Sequence, residues 1–153
     1  MPKELAGPLH QRGGAPWVRS SATIYVGRPP DGSHVKIFSV PDCLFCGVAA
    51  GEIPATIVSD KPRTIAFRDI NPQAPVHVLI IPREHHPNLA ALSAAEGGLL
   101  GDLVEHAREV AESEGIAEGG YRVVFNTGPN AGQSVDHVHA HLLGGRAMSW
   151  PPG

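Results

Sequence analysis

The chain has 153 residues, enough for one domain of ordinary size but not for two. Hydrophobic residues make up 42% of it, which supports a packed core, while 18 glycines and 15 prolines predict many loops. The net charge of −3 argues against a general basic face for duplex nucleic acid. No apolar run is long enough to span a membrane or to act as a secretion signal, so we expect a cytoplasmic protein.

The charge divides the chain into two parts. Residues 1–41 carry five Lys or Arg and two acidic residues, a net charge of +3, and the remainder therefore carries −6. Two β-favouring runs around a turn-like segment predict a hairpin within residues 22–40. We predict an N-terminal extension over residues 1–41, beginning with a flexible arm, and one folded domain over residues 42–153.

The first half of this domain contains one predicted helical turn and three predicted strands. Residues 44–50 favour a short helical turn that Gly51 ends, and residues 56–58 favour a short strand. Residues 64–69 and 76–81 are both typical of strands. The second of these is apolar except for His77, so we expect it at the centre of a sheet, ending at Pro82.

The main helix is predicted to follow a capping box formed by Ser93 and Glu96 and to end at Gly115. A strand over residues 121–126, a glycine-rich loop and a final strand over residues 135–143 complete the chain. Antiparallel hairpins with one long helix define an α+β fold. The predicted buried face of the helix consists of Leu99, Leu100, Leu103, Val104, Ala107, Val110 and Ala111.

Three alternating histidines, His137, His139 and His141, lie on the final predicted strand. Side chains alternate along a strand, so we expect the three imidazoles on one face and the intervening apolar residues in the core. Such a row is either a solvated surface, a metal site, or a nucleophilic centre in which imidazole attacks phosphorus. The preceding Gly-Gln-Ser at residues 132–134 offers groups suited to phosphate oxygens, which favours the nucleophilic centre.

The segment GQSVDHVHAHLL at residues 132–143 resembles the signature of the histidine-triad (HIT) family. The chain ending at residues 144–153 is similar to that of its Hint branch, the nucleoside phosphoramidases. Further matches lie at residues 51–55, 66–75 and 77–82. The resemblance covers residues 42–153 and implies a HIT-like half-barrel of antiparallel strands with one main helix, forming a homodimer through that helix and a strand.

The resemblance implies cleavage of the P–N bond of purine nucleoside 5′-phosphoramidates, with His139 as a nucleophile that forms a covalent nucleotidyl intermediate. His141 would contact the phosphate or leaving group, His77 would orient His139, and no catalytic cofactor is expected. Alternatives are a dinucleoside-polyphosphate hydrolase or nucleotidyl transferase, a nucleotide-binding regulatory protein with incidental turnover, and a metal-dependent hydrolase. The other implied contacts are Asp69 to the ribose, Phe67 and Ile70 to the base, Asn126, Gly132, Gln133 and Ser134 to the phosphate or leaving group, and Trp150 towards the neighbouring subunit.

Cys43 and Cys46 form a Cys-x-x-Cys pair, which is two ligands short of a tetrahedral zinc site. In a reducing cytosol such a pair more often binds a metal or does redox work, and a pair of free thiols is the alternative. Similarity to prokaryotic HIT proteins implies that His85 and His137 complete a structural zinc site. His86 and His106 are expected to be exposed to solvent.

Overall fold

The computed structural model describes residues 43–152, so the predicted arm and hairpin lie outside the described residues. The elements are α1 (Leu44–Ala49), β1 (Ile57–Asp60), β2 (Thr64–Arg68), β3 (Val76–Pro82), α2 (Leu89–Ala95), α3 (Gly97–Ser113), β4 (Tyr121–Phe125), a 3-10 turn (Pro129–Ala131) and β5 (Ala140–Gly144). The five strands form one antiparallel sheet in the order β1-β2-β3-β5-β4. None of the helices within residues 43–152 is long and apolar enough to cross a membrane.

The predicted central strand is confirmed. β3 pairs with β2 on one side and β5 on the other, and it is buried from His77 to Pro82. Because its side chains alternate, Val78 and Ile80 face α3 while Leu79 and Ile81 face α1. His77 shares the α1 face, and the site described below is built there.

A hydrophobic core lies on each face of the sheet. α3 covers one face, where Val138, Ala140 and Leu142 are buried as the sequence predicted. α1 covers the other face with Phe45 and Val48. The mixed α+β fold with an antiparallel sheet is therefore confirmed.

The predicted start of the main helix is wrong. Ser93 lies inside α2, whose N-terminus is capped by Asn88 through a 3.0 Å hydrogen bond from the backbone N–H of Ala91 to Oδ1. Glu96 leaves the helical conformation, with φ −150° and ψ 77°, so α3 begins separately at Gly97 and has no side-chain cap. The side-chain cap found here belongs to α2, and Asn88 rather than Ser93 provides it. Gly115 ends α3 with a positive φ of 70°, as predicted.

Three predictions of exposure are wrong. Val104 is 51% exposed although its spacing predicted burial. His86 and His106 are buried, at 7% and 0% exposure, although both were expected to be exposed to solvent. His106 lies on the buried stripe of α3 between Leu103 and Val110, a periodicity that the sequence does contain.

β5 is shorter than the predicted final strand, and β1 begins one residue later than predicted. β5 begins only at Ala140, opposite Ile80, and residues 135–139 are irregular. Continuation of the β3–β5 ladder would bring Val138 opposite Pro82, which has no N–H to donate. The N–H of Val138 instead donates to the carbonyl of His86 at 2.7 Å. The side chains of His137 and His139 therefore do not alternate between the two faces of the sheet as strand residues do.

Candidate active site

His77, His139 and His141 come together on the α1 face of the sheet. β3 carries His77 and β5 carries His141, and the strand register sets Leu79 opposite His141. Nε2 of His77 lies 2.9 Å from Nδ1 of His141. The rings of His139 and His141 have their centroids 4.9 Å apart. The hydrogen bond of His77 is therefore to His141 rather than to His139, which it was predicted to orient.

A main-chain group fixes the tautomers of two of these histidines. The N–H of Gln73 donates to Nδ1 of His77 at 3.1 Å, so the proton of neutral His77 resides on Nε2. That N–H donates in turn to Nδ1 of His141, which leaves the proton of His141 on Nε2. Burial, together with the neighbouring His139 and His77, lowers the pKa of His141 to about 4. At neutral pH His141 is therefore a neutral ring that offers one N–H donor.

His139 has the opposite tautomer. Its Nδ1–H donates to the main-chain carbonyl of His137 at 2.7 Å, which leaves the lone pair on Nε2. The ring of Phe45 packs edge-on against it with a centroid separation of 5.2 Å. His139 thus has one nitrogen held by the backbone and one nitrogen that can attack an electrophile.

A cavity of about 360 Å³ opens beside these histidines. One wall is apolar and includes Phe45, Phe67 and Leu79, and Ile70 also lines the cavity although its side chain is fully exposed. The polar lining groups include Asp69, Ser134, His139 and His141. Its size and its convergent polar groups are typical of a small-molecule site.

Asp69 lies at the polar end of the cavity. Its Oδ1 accepts a 2.8 Å hydrogen bond from the N–H of Asn71, and its Oδ2 lies 3.4 Å from Nε2 of His77. Burial lowers the pKa of His77, and the Asp69 carboxylate opposes that effect. A metal ion on Nε2 of His77 would have to displace the proton that the Gln73 contact places there. The group of Asp69, His77 and His141 therefore fits a hydrogen-bonded relay better than a metal site.

Other residues implicated by the sequence do not line this cavity. The amide of Gln133 accepts from Gly128 N–H at 2.9 Å and donates to the carbonyls of Pro87 and Val135. Gly132 donates its N–H to Pro129, so both residues brace their own loop. Asn126 directly follows Phe125, the last residue of β4, which pairs with Ala140. The side chain of Trp150 is 83% exposed.

Cys43, Cys46, His85 and His137 form a second cluster, as the sequence predicted for a metal site. Their ligand atoms all lie within 4.8 Å of one another. Nδ1 of His137 is 3.4 Å from the Cys43 sulfur and 3.5 Å from the Cys46 sulfur. Tetrahedral zinc, with Zn–S of about 2.3 Å and Zn–N of about 2.0 Å, requires S···N separations near these values.

The hydrogen bonding and charge of this cluster also suit a cation. Nε2–H of His137 donates to the carbonyl of Pro82 at 2.9 Å, so the lone pair of Nδ1 is directed at the thiols. Burial and the adjacent Cys43 raise the pKa of Cys46 to about 11. A divalent cation would offset the cost of burying two thiolates, because its charge balances theirs. The residues present therefore fit zinc.

Three groups in these sites could not be identified from residue types. They are the N–H of Gln73 and the carbonyls of Pro82 and His137, all main-chain atoms whose direction depends on the fold. Phe45 carried a usable signal, because it lies between the two cysteines of the Cys-x-x-Cys pair. Its ring packs edge-on against His137, a member of the same cluster, at a centroid separation of 6.1 Å.

The domain therefore combines an antiparallel sheet with two histidine-containing clusters, and the Nε2 lone pair of His139 is free beside a largely apolar cavity. Residues 50–148 match the HIT domain. The chain belongs to the HIT family, and the predicted family and fold are thereby confirmed.

Among its relatives, the 14 kDa zinc-binding protein of Zea mays is 51% identical over 113 residues, covering 72% of this chain and 87% of that protein. Adenylylsulfatase HINT1 of Arabidopsis thaliana is 49% identical over 113 residues, covering 72% and 76%. Among solved structures, a HIT family hydrolase from Legionella pneumophila has 50% identity and a TM-score of 0.71, covering 73% of this chain and all of that one.

Proposed function

We propose that this protein is a hydrolase that cleaves the P–N bond of purine nucleoside 5′-phosphoramidates through a nucleotidyl-His139 intermediate. The observation that carries the proposal is the tautomer of His139, which leaves the Nε2 lone pair free beside the cavity. Relatives named as a hydrolase and as an adenylylsulfatase support phosphoryl or sulfuryl-anhydride chemistry of this kind. The similarity of the chain ending to the Hint branch favours the phosphoramidate over a dinucleoside polyphosphate.

The apolar wall of the cavity, which includes Phe67 and Ile70, supports their assignment to the purine base. Among the polar lining groups, we assign Asp69 to the ribose hydroxyls and Ser134 to the phosphate. We assign Asn126 to the phosphate or leaving group; it follows Phe125, which pairs with Ala140 next to His139. We assign Gly132 and Gln133 to the support of this loop rather than to direct contact with substrate.

In the first step Nε2 of His139 attacks the α-phosphorus, and the P–N bond breaks with its electron pair passing to the leaving nitrogen. The leaving nitrogen takes up a proton from solvent and departs as an amine. Nε2–H of His141 donates to a phosphate oxygen as charge develops, and His77 holds His141 in that tautomer. In the second step water attacks phosphorus and releases a proton to solvent, and the electron pair of the His139–phosphorus bond returns to Nε2. The net reaction consumes one water and yields a nucleoside monophosphate and an amine.

We propose that Cys43, Cys46, His85 and His137 hold a structural zinc ion. Relatives named zinc-binding proteins support this assignment, as does the ligand geometry. When bound, the ion supplies a cross-link between residues 43–46 and two later loops. It contributes no atom to the reaction.

We also propose that the protein is a homodimer. In the described part of the chain β4 is an edge strand whose Tyr121 is exposed, and Val104 is exposed on α3. Pairing across these surfaces would cover both side chains and continue the sheet. Trp150 would then reach the neighbouring site.

The proposed activity is tested with a fluorogenic adenosine phosphoramidate, assayed in the presence and absence of EDTA, followed by mass spectrometry of acid-quenched protein. We expect turnover to persist in a brief assay in which EDTA binds the free divalent ions but the Cys/His cluster keeps its ion, and we expect an adenylate mass on the peptide containing His139. Turnover of a diadenosine polyphosphate alone would favour the alternative hydrolase. Loss of activity that any added divalent ion restores at once would indicate a metal-dependent hydrolase.

A further inference from the structure

His137 joins the two sites. Its ring contacts both thiols through Nδ1, while its main-chain carbonyl accepts the Nδ1–H of His139 at 2.7 Å. The residue is completely buried. One residue therefore faces the metal cluster with its side chain and the nucleophile with its backbone.

No strand ladder holds that carbonyl in place. β5 begins at Ala140, and the preceding residues are irregular. The backbone around His137 is anchored by its own N–H to Val135 and by the bond from Val138 to His86. The His137 ring, held between the thiols and the carbonyl of Pro82, is a further anchor.

Phe45 provides a second connection between the clusters. It lies in α1 between Cys43 and Cys46, and its ring packs edge-on against both His139 and Phe67, at centroid separations of 5.2 and 5.6 Å. α1 has only six residues, and its N-cap residue Cys43 forms no side-chain capping bond. So short a helix is marginal without tertiary anchors, and the two cysteine ligands would supply them.

We propose that His137 is a positioning residue for the reaction, and that occupancy of the Cys43, Cys46, His85 and His137 cluster sets the reactivity of His139. With the cluster occupied, the ring and carbonyl of His137 are fixed and Nε2 of His139 is directed at the phosphorus. With the cluster empty, the domain remains folded but the nucleophile is less well oriented. The expected change in reaction rate rests on the proposed function, whereas the expected change in the environment of His139 does not.

The structural consequence is tested on full-length protein with ¹⁵N-labelled histidine, before and after removal of metal by a chelator, with zinc content measured by mass spectrometry. We expect the Nδ1–H signal of His139 to shift or broaden when zinc is removed and to return when zinc is added. An unchanged signal in folded, metal-free protein would overturn the proposal. Global unfolding of the metal-free protein would also overturn it, because the ion would then hold the whole domain.

The kinetic consequence is tested with His85→Asn, which removes one ligand without altering α1 or His137. His86→Asn is the matched control, because His86 is adjacent and buried but is not a member of the cluster. We expect His85→Asn to lose zinc and to lower kcat about tenfold to a hundredfold, in line with a misplacement of about 1 Å, with a smaller change in KM. Excess zinc should restore part of the rate.

The control should keep both its zinc and its rate. Wild-type kcat in His85→Asn protein shown to lack zinc would contradict the inference. If zinc-loaded wild-type protein fails to turn over any phosphoramidate, the proposed function has failed. The NMR measurement still decides the positioning role of His137 in that case, because it requires no turnover.

Discussion

The two nitrogens of His139 have different environments, and this difference carries the proposed chemistry. The backbone carbonyl of His137 holds Nδ1–H, so Nε2 is the only nitrogen of the ring that can attack. The ring is 4% exposed, which restricts its rotation. An imidazole in this state is oriented before substrate arrives.

Replacing His139 with Asn should abolish turnover while retaining AMP binding, because the attacking atom is lost but the apolar cavity remains. We expect activity to fall by more than about a hundredfold, with AMP affinity changing by only a few-fold. Steady-state kinetics and calorimetric titration with AMP measure the two effects. Substantial residual turnover would show that another group forms the covalent bond.

The buried His106 should make stability depend on pH. Burial and the positive charge of Lys61 lower its pKa, opposed by Glu109 and Asp60, so folding disfavours the charged form of this ring. The unfolded chain takes up a proton below about pH 6.5, so this contribution is lost as pH falls through that value. We expect the melting temperature to drop between pH 7.5 and 5.5.

His106→Leu should reduce that drop, although burial of other histidines preserves part of it. Thr64→Val is the matched control, because it removes the 2.7 Å contact to Nδ1 of His106 but keeps the titrating ring. Thermal unfolding followed by circular dichroism at both pH values gives the comparison. Equal pH dependence in wild type and His106→Leu would assign the effect to other groups.

At the scale of elements, the start of α2 shows that a side-chain cap depends on backbone conformation. Ser93 and Glu96 have the spacing of a capping box, yet Asn88 is the residue whose side chain accepts from the first turn. Capping requires the cap residue itself to be non-helical, and Asn88 is extended while Ser93 lies inside α2. The identity of the cap therefore depends on backbone conformation as well as on spacing.

Asn88→Ala should lower the free energy of unfolding by about 1 kcal/mol, the usual value of an N-cap. Ser93→Ala provides the control, because Ser93 is exposed within the helix and forms no capping bond. Urea denaturation of the two variants beside the wild type tests the difference. A larger loss from Ser93→Ala would reinstate the capping box.

At the scale of the whole molecule, four residues from three separate segments form the proposed zinc site. An ion that binds only the folded arrangement stabilises it by mass action, by about 4 kcal/mol at a free concentration 1,000-fold above its dissociation constant. We therefore expect the chelated protein to melt at a lower temperature than the zinc-loaded one while remaining folded at 25 °C. Magnesium should not restore the difference, since thiolates favour softer ions. Equal melting temperatures would argue against a bound ion.

Much of the domain followed from sequence. The alternation and apolar runs predicted β3 as the central strand, and the periodicity of α3 predicted a helix that ends at Gly115. The same patterns misplaced β5, because they could not show that Pro82 would stop its ladder. They also missed the burial of His106. The prediction of exposure followed from the polarity of its side chain, whereas its position on the apolar face of α3 determines its burial.

The sequence by itself determined the family, the α+β class and the residue types that can attack phosphorus or bind zinc, because these depend on side-chain chemistry and spacing along one chain. Only the tertiary structure decided how three alternating histidines divide between two sites, with His137 turned to the thiols and His139 and His141 lining the cavity. It also decided their tautomers, through the N–H of Gln73 and the carbonyls of Pro82 and His137. The physical reason is that every residue has such main-chain groups, and only the path of the folded backbone selects which of them meets a ring nitrogen.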